Sequence, residues 1–346
     1  MAQPLLQMLH QLDHPAFLAE AGVVVAVNES AAKKMITTDL KLSDCIRSGL
    51  EEYLSFSGEG TLCLTLQIEG FSHQATVSSV ENMQLFILTE ETIRQELQTL
   101  SLAAAQLSVP ISELSLILSQ TDDLDENQRA KLTHNLYRLQ RIVGNMSDAA
   151  QLPNLRTQPQ RRELGALLGE VLEKAQTLLS HKQIVLDYRL PETPVFAAVS
   201  EDLLCRAIFN LLSNAAKFEG QHITVSCHRK NEKFYIQIAD NGTGIRYSQS
   251  GNLFCRYTRE PGLEDYRNGL GIGLSLVHTA ASAHGGTVLV EKNAPSGTKV
   301  TMTLSLKQSG TANLRSPILT PDLYGGQDQA LIELSDVLPY QLYKGL

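Results

Sequence analysis

Leu203–Phe218 reads LLCRAIFNLLSNAAKF, and within it Asn210 and Asn214 stand four residues apart. On a helix that spacing puts both amides on one face. Set among leucines, two such amides need a polar partner. An amide carbonyl is a neutral oxygen ligand suited to Mg²⁺, which keeps several waters and bridges phosphate oxygens. Two glycine-bearing blocks follow, DNGTGI at Asp240–Ile245 and NGLGIGL at Asn268–Leu274. A carboxylate at Asp240 can accept an adenine amino group, while Gly242 and Gly244 let backbone approach a ring without a Cβ clash. Gly269, Gly271 and Gly273 lead through Leu274 into a helix whose free N–H groups and positive dipole end favour phosphate. A lone G-x-G-x-G could also be a dinucleotide-binding turn. Such a turn follows the first strand of its domain, whereas this one lies behind the long segment 246–267.

In type, order and spacing these blocks resemble the ATP-binding domain of sensor histidine kinases, part of the wider family that includes gyrase and MutL. The resemblance covers about Leu100 to Leu306. It implies ATP and Mg as ligands, with Asn214 on magnesium, Asn210 supporting the phosphates and Lys217 as a phosphate-contacting cation. Asp240, Gly242 and Gly244 match the adenine loop, and Thr298 of SGT (Ser296–Thr298) matches a further element. NLFCRYTR (Asn252–Arg259) resembles the family's phenylalanine box, with Phe254 packing a lid and Arg256 or Arg259 contacting phosphate.

With 346 residues and 43% apolar content, the chain predicts about two to three globular domains. A net charge of -8 speaks against a nucleic-acid footprint or an anionic membrane surface. Five scattered cysteines without a C-x-x-C pair, and a start without a signal-peptide pattern, predict a cytoplasmic protein with reduced thiols. No membrane insertion is expected, since no stretch reads as the roughly 20 apolar residues that span a bilayer.

The expected fold is α+β in three parts and a tail. Residues 1–90 carry apolar runs at Val23–Val27, Thr61–Gln67 and Leu85–Leu88 between polar turns, an α/β pattern. His14–Met35, with its strand, Asn28 and small-residue helix, resembles a PAS sensory module. Residues 91–152 hold an alternation of four- and three-residue steps at Ile93, Leu97, Leu100, Ala104, Leu107, Ile111, Leu114 and Leu118. Leu132, Leu136, Leu139, Val143, Met146 and Ala150 repeat it after the turn TDDLDEN. This predicts a helical hairpin that dimerises as a four-helix bundle, hence a homodimer. Residues 160–307 form the α/β-sandwich ATP-binding domain. Residues 308–346 are an extension whose amphipathic stretch Ala330–Leu338 is expected to dock as a short helix.

The family's phosphorylated histidine stands in H-E-x-x-[TN]-P. The one proline of the first hairpin helix, Pro110, aligns that motif with Ala105-Gln106-Leu107-Ser108-Val109-Pro110. A methyl group cannot form a phosphoramidate, and Gln106 and Val109 replace the other reactive groups. His134, the nearest alternative acceptor, is expected on an outward, solvated face. ATP-hydrolysing relatives carry a glutamate base at the position of Asn210, and an amide cannot take a proton from water. Three readings follow. The first is a signalling protein of the two-component type that binds Mg-ATP without autophosphorylation, as a dimeric scaffold with a response regulator or another signalling protein as partner. The second is an active kinase using His134 or a residue on a partner. The third is an interaction module with a vestigial pocket.

Overall fold

The computed structural model describes residues 3–12, 14–88, 94–121, 123–151, 159–218, 220–244, 273–307 and 327–345. The N-terminal part runs α1 (Gln3–His10), β1 (Ala16–Glu20), β2 (Val23–Val27), α2 (Glu29–Lys33), α3 (Leu42–Cys45), β3 (Ile46–Ser48), α4 (Leu50–Ser55), β4 (Thr61–Ile68), β5 (Phe71–Val80) and β6 (Met83–Leu88). Strand alternation builds two apolar layers here. Ala16, Leu18, Ala26, Leu85 and Ile87 pack with Leu5 and Leu9 of α1 on one face. Phe17, Ala19, Val24 and Phe86 join the core under α2–α4 on the other. Phe17 and Phe86 are cross-strand partners and stack with ring centroids 4.7 Å apart. Buried Asn28 caps α2 by accepting from the Ala31 and Ala16 N–H groups, and its amide donates to the Leu12 and His14 carbonyls. The expected runs at Val23, Thr61 and Leu85 are strands; β5, rich in Ser and Thr, was not anticipated.

Two long helices follow, α5 (Arg94–Gln120) and α6 (Glu126–Gln151). Pro110 sits inside α5 without ending it. Half of the heptad seam closes the hairpin itself, with Ala104 and Ile111 against Leu136, Val143 and Met146. The other half stays open, for Leu107, Leu114, Leu132 and Leu139 are 46, 52, 48 and 45% exposed. One expectation needs correcting. Leu102–Gln120, 19 residues with mean hydropathy 1.4, is long and apolar enough by composition to cross a membrane. Uninterrupted apolar residues are absent from it, but its serines count as nearly neutral and Glu113 is its one charge.

The third part comprises β7 (Gln160–Glu163), α7 (Leu164–Ser180), β8 (Val185–Arg189), β9 (Phe196–Val199), α8 (Glu201–Lys217), β10 (His222–Lys230), β11 (Lys233–Asp240), α9 (Gly273–Ala283), β12 (Val288–Lys292) and β13 (Thr298–Ser305). The order β12-β13-β11-β10-β8 makes a mixed sheet, parallel between β8 and β10 and antiparallel elsewhere. One core holds α7, α8 and α9 against it. Within that core burial pushes the Cys205 and Cys227 thiols up to about 12, so they pack as inert apolar groups. A last helix, α10 (Gln329–Glu333), and a 3₁₀ turn at Tyr340–Tyr343 end the described chain.

The sheets of the first and third parts are one. β4 pairs antiparallel with β12 through Val288↔Cys63, Leu289↔Leu62 and Val290↔Thr61, giving the order β2-β1-β6-β5-β4-β12-β13-β11-β10-β8, with β3 also on β4. Lys233 Nζ meets both Glu52 oxygens at 2.6 and 2.5 Å, and Thr303 Oγ1 donates to the same carboxylate. Ser48 Oγ donates to the Gly286 carbonyl. Gly60 opens β4 at φ +92°, and a Cβ there would lie 2.2 Å from the Val290 carbonyl oxygen. A backbone oxygen in a ladder cannot step aside. Gly60→Ala is therefore expected to cost about 1–3 kcal/mol of stability by strain and clash. Urea unfolding should read the loss, with faster amide exchange confined to β4 and β12.

Candidate functional site

Asp240, the last residue of β11, is the fixed point of the site. It is buried, and its Oδ1 accepts from the Gly242 N–H (2.9 Å) and the Thr298 N–H (3.2 Å). Its carbonyl accepts from the Asn293 amide at 2.8 Å. Oδ2 accepts no hydrogen bond among the described residues, so this oxygen is left for an incoming donor. Burial pushes the carboxyl above the ordinary aspartate range, against the pull of the Gly242 and Thr298 N–H groups. The two loop glycines also meet the rest of the chain closely. A Cβ on Gly242 would strike the Phe218 carbonyl oxygen at 2.1 Å, and one on Gly244 would meet Gly297 O at 3.0 Å. Both glycines thus let the loop pack on the chain itself, at the end of α8 and on the turn before β13. Asn293 was missed in the sequence, because an asparagine in a turn reads as turn chemistry.

Helix α8 carries the asparagines. Glu201 and Asp202 in its first turn complement the dipole, and the Ser200 N–H donates to His284 Nε2 at 2.9 Å. Asn210 is 2% exposed, and its Nδ2 donates to the Arg206 carbonyl one turn earlier. That leaves Oδ1 as the outward end of the amide. A Cβ at Gly273, the first residue of α9, would lie 3.1 Å from this Oδ1 and 3.8 Å from Asn214 Nδ2. Gly273, Asn210 and Asn214 therefore share one cleft, with Leu274 on the same first turn of α9. The Asn210 amide oxygen and the Asn214 amide nitrogen thus lie beside the first turn of α9, and helix starts of this kind favour phosphate. Among the described residues no cluster of three His, Cys, Asp or Glu could hold a metal by itself. Phe254, Arg256, Arg259, Gly269 and Gly271 lie outside the described residues.

Lys217 ends α8, and its partner is in the C-terminal segment: Nζ lies 2.7 Å from Asp336 Oδ2. Asp336 also pairs with Arg141 Nη1 at 2.5 Å and Arg138 Nε at 3.3 Å, both on α6. Glu333 meets Arg206 Nε of α8 at 3.1 Å and Arg141 Nε at 3.6 Å. Arg141 Nη2 donates to Ser213 Oγ. Burial alone would raise the Asp336 carboxyl, but Arg141 and then Lys217 outweigh it and hold it below the usual range. Burial, with Arg141 nearby, holds the Lys217 ammonium below the usual lysine range.

The segment also settles the environment of His134. Its Nε2–H donates to the Ser335 carbonyl at 2.7 Å, and its ring lies 4.8 Å from that of buried Tyr343. The expectation of a solvated His134 is thus corrected: the C-terminal segment covers it, and burial lowers its pKa. Ala105 and Gln106, by contrast, are exposed on α5.

Residues 199–308 match the family described as histidine kinase-, DNA gyrase B-, and HSP90-like ATPase. The chain is 29% identical over 244 residues to the adaptive-response sensory kinase SasA of Synechocystis, covering 64% of this chain and 63% of that protein. It is 28% identical over 203 residues to the sensor protein ChvG of Rhizobium meliloti, covering 54% and 35%. The chain therefore spans less than two thirds of either relative. Among solved structures, the Acinetobacter baumannii histidine kinase AdeS aligns over 58% of this chain and 98% of its own, with 22% identity and a TM-score of 0.42. Residues 199–308, most of the third part of the fold, are by the family match an ATPase domain of the kind shared by histidine kinases, gyrase B and HSP90. Beyond that domain the similarity to sensor kinases such as SasA and ChvG extends over 54–64% of the chain's length.

His284 ties this site together and supplies a pH test. Its Nδ1–H donates to the Ala280 carbonyl at 2.6 Å, so Nε2 must be unprotonated to accept from Ser200. Burial lowers its pKa. A histidine kept neutral in the fold binds its proton more readily when unfolded. Stability should therefore fall as pH drops below about 6.5, until the lower folded pKa is reached. His134 adds in the same direction, so His284→Gln should flatten only part of the slope in urea midpoints between about pH 7 and 5.

Proposed function

We propose that this chain is a Mg-ATP-binding signalling protein of the two-component type that has lost histidine autophosphorylation and works as a dimeric, nucleotide-dependent scaffold. One observation carries the reading: Asp240 and the Asn210–Asn214–Gly273 cleft are laid out for nucleotide, while the exposed α5 position that should offer an imidazole offers Ala105.

In this reading Asp240 Oδ2 accepts the adenine amino group. Gly242 and Thr298 hold that carboxylate in place, and Gly244 packs the adenine loop on Gly297. The Asn214 amide oxygen holds Mg²⁺, Asn210 supports the phosphates and Lys217 supplies a cation. Gly269, Gly271 and Gly273, with Leu274, wrap the phosphates, and Phe254 and Arg259 belong to the lid. Bound Mg²⁺ would neutralise the phosphate oxygens it bridges. With an amide at Asn210 in place of a base, water is not activated and bound ATP persists. Nucleotide then acts through binding free energy, provided that it favours one arrangement of the domain over another.

The open seam at Leu107, Leu114, Leu132 and Leu139 supports a homodimer in which a second hairpin completes a four-helix bundle. The antiparallel β2-β1-β6-β5-β4 sheet, layered by α1 and α2–α4, supports a PAS-like sensory module over residues 1–90. Residues 91–152, 160–307 and 308–346 are then hairpin, ATP-binding domain and extension. A response regulator or another signalling protein in the cytoplasm is the partner such a scaffold serves. Phosphorylation of His134 is disfavoured by its contact with Ser335 and Tyr343.

Incubation with Mg²⁺ and ATP labelled on the γ-phosphate should leave the protein unlabelled while it binds nucleotide. Acid-labile protein-bound label would overturn this reading in favour of an active kinase. Asp240→Ala should abolish binding, and unchanged affinity would refute the pocket. Ala105→His combined with Gln106→Glu should restore acid-labile labelling on α5, read by peptide mapping. A folded double variant that binds ATP and stays unlabelled would show that pocket and helix no longer meet.

A further inference from the structure

We infer that the C-terminal segment 327–345 is an intramolecular gate on the nucleotide site, with the Asp336 carboxylate competing with nucleotide phosphate for Lys217. The inference rests on the reading of Lys217 as a phosphate contact. Lys217 Nζ and Asp336 Oδ2 are 2.7 Å apart, with each side chain 9% exposed. Arg206, Ser213 and Lys217 fall on one face of α8. That face is occupied by α6 and the segment, through Arg206–Glu333, Ser213–Arg141 and Lys217–Asp336. A segment anion thus sits on the cation expected to meet the phosphates, one turn from Asn214.

Charge makes the exchange possible. Arg138, Arg141, Arg206 and Lys217 are ion-paired with Glu333 and Asp336, with Asp202 a third carboxylate near Arg206. When phosphate takes Lys217, Asp336 keeps Arg138 and Arg141, so neither carboxylate is stranded. A triphosphate nevertheless brings several negative charges toward two buried carboxylates, and like charges at such separations repel strongly where water is excluded. The apolar side of the segment, Ile332, Leu334, Val337, Leu338 and Tyr343, holds it down independently of charge. The gate therefore has two separable parts, an ionic lock on α8 and an apolar anchor on α6 and α7. Linkage requires reciprocity: whatever factor the docked segment takes from nucleotide affinity, nucleotide takes from docking. Release uncovers His134 and Tyr137 of α6, both now against Tyr343. Nucleotide occupancy would then be reported on the hairpin surface.

The test uses the full chain and a non-hydrolysable ATP analogue with Mg²⁺. Asp336→Asn keeps the size of the side chain and removes its charge. Tyr343→Ala loosens the anchor without touching Lys217. Both should tighten analogue binding, by roughly fivefold or more. In the wild-type chain, saturating analogue should speed amide exchange across 328–345 and in the middle of α6, a readout that needs no variant to fold. Asp240→Ala separates the two levels of the argument. If it abolishes binding while Asp336→Asn and Tyr343→Ala bind as wild type and the segment's exchange is unmoved, the gate is wrong and the pocket stands. If Asp240→Ala binds as wild type, the pocket is wrong and the gate falls with it.

Discussion

Three backbone-paired positions between β4 and β12 decide how this molecule is put together. The ATPase sheet ends at β12, and an unpaired edge of N–H and C=O groups needs a partner or cover. The N-terminal part supplies that partner from its own edge, so two sheets that could each fold around a separate core become one. The Glu52–Lys233 ion pair, largely buried, ties α4 to β11 two strands further in. A buried ion pair of this kind adds more to register than to stability, since the desolvation of both charges offsets much of the attraction.

The opposite side of the ATPase domain is governed by charge. Four cations from α6 and α8 line this side, and the carboxylates that pair with them at close range, Glu333 and Asp336, are not part of the ATPase sheet or its helices, while Asp202 of α8 lies near Arg206. The two carboxylates come from the C-terminal segment. The domain is thus gripped through backbone on one side and through ion pairs on the other. The first grip is insensitive to a phosphate ligand and the second is directly exposed to one.

Much of this was legible in the sequence because it rests on local periodicity. The four-residue spacing of Asn210 and Asn214 predicted a helix face, carried by α8, and the apolar runs at Val23–Val27, Thr61–Gln67 and Leu85–Leu88 predicted strands. The heptad seam found both hairpin helices. What escaped depends on partners distant in sequence. β5 is written in Ser, Thr, Gln and His, and only its pairing with β4 and β6 makes it a strand. The β4–β12 pairing is carried by backbone, which leaves no side-chain signature. Glu333 and Asp336 read as ordinary surface acids of an amphipathic stretch; their partners Arg206 and Lys217 lie 127 and 119 residues away. His134 looked solvated because a helix register describes one helix and not what later folds over it. The contact of Gly242 with the Phe218 carbonyl, 24 residues earlier in the chain, likewise has no local signature.

A strand edge chooses its partner by backbone geometry, so β12 cannot tell the β4 of its own chain from that of a second copy. In the hairpin-joined dimer proposed above, the local concentration of the second β4 is high and the pairing it offers is chemically identical. The same sheet can then be completed in two ways, one folded back within each chain and one interwoven between chains. The two forms have the same β4–β12 hydrogen bonds and differ in which chain supplies β4.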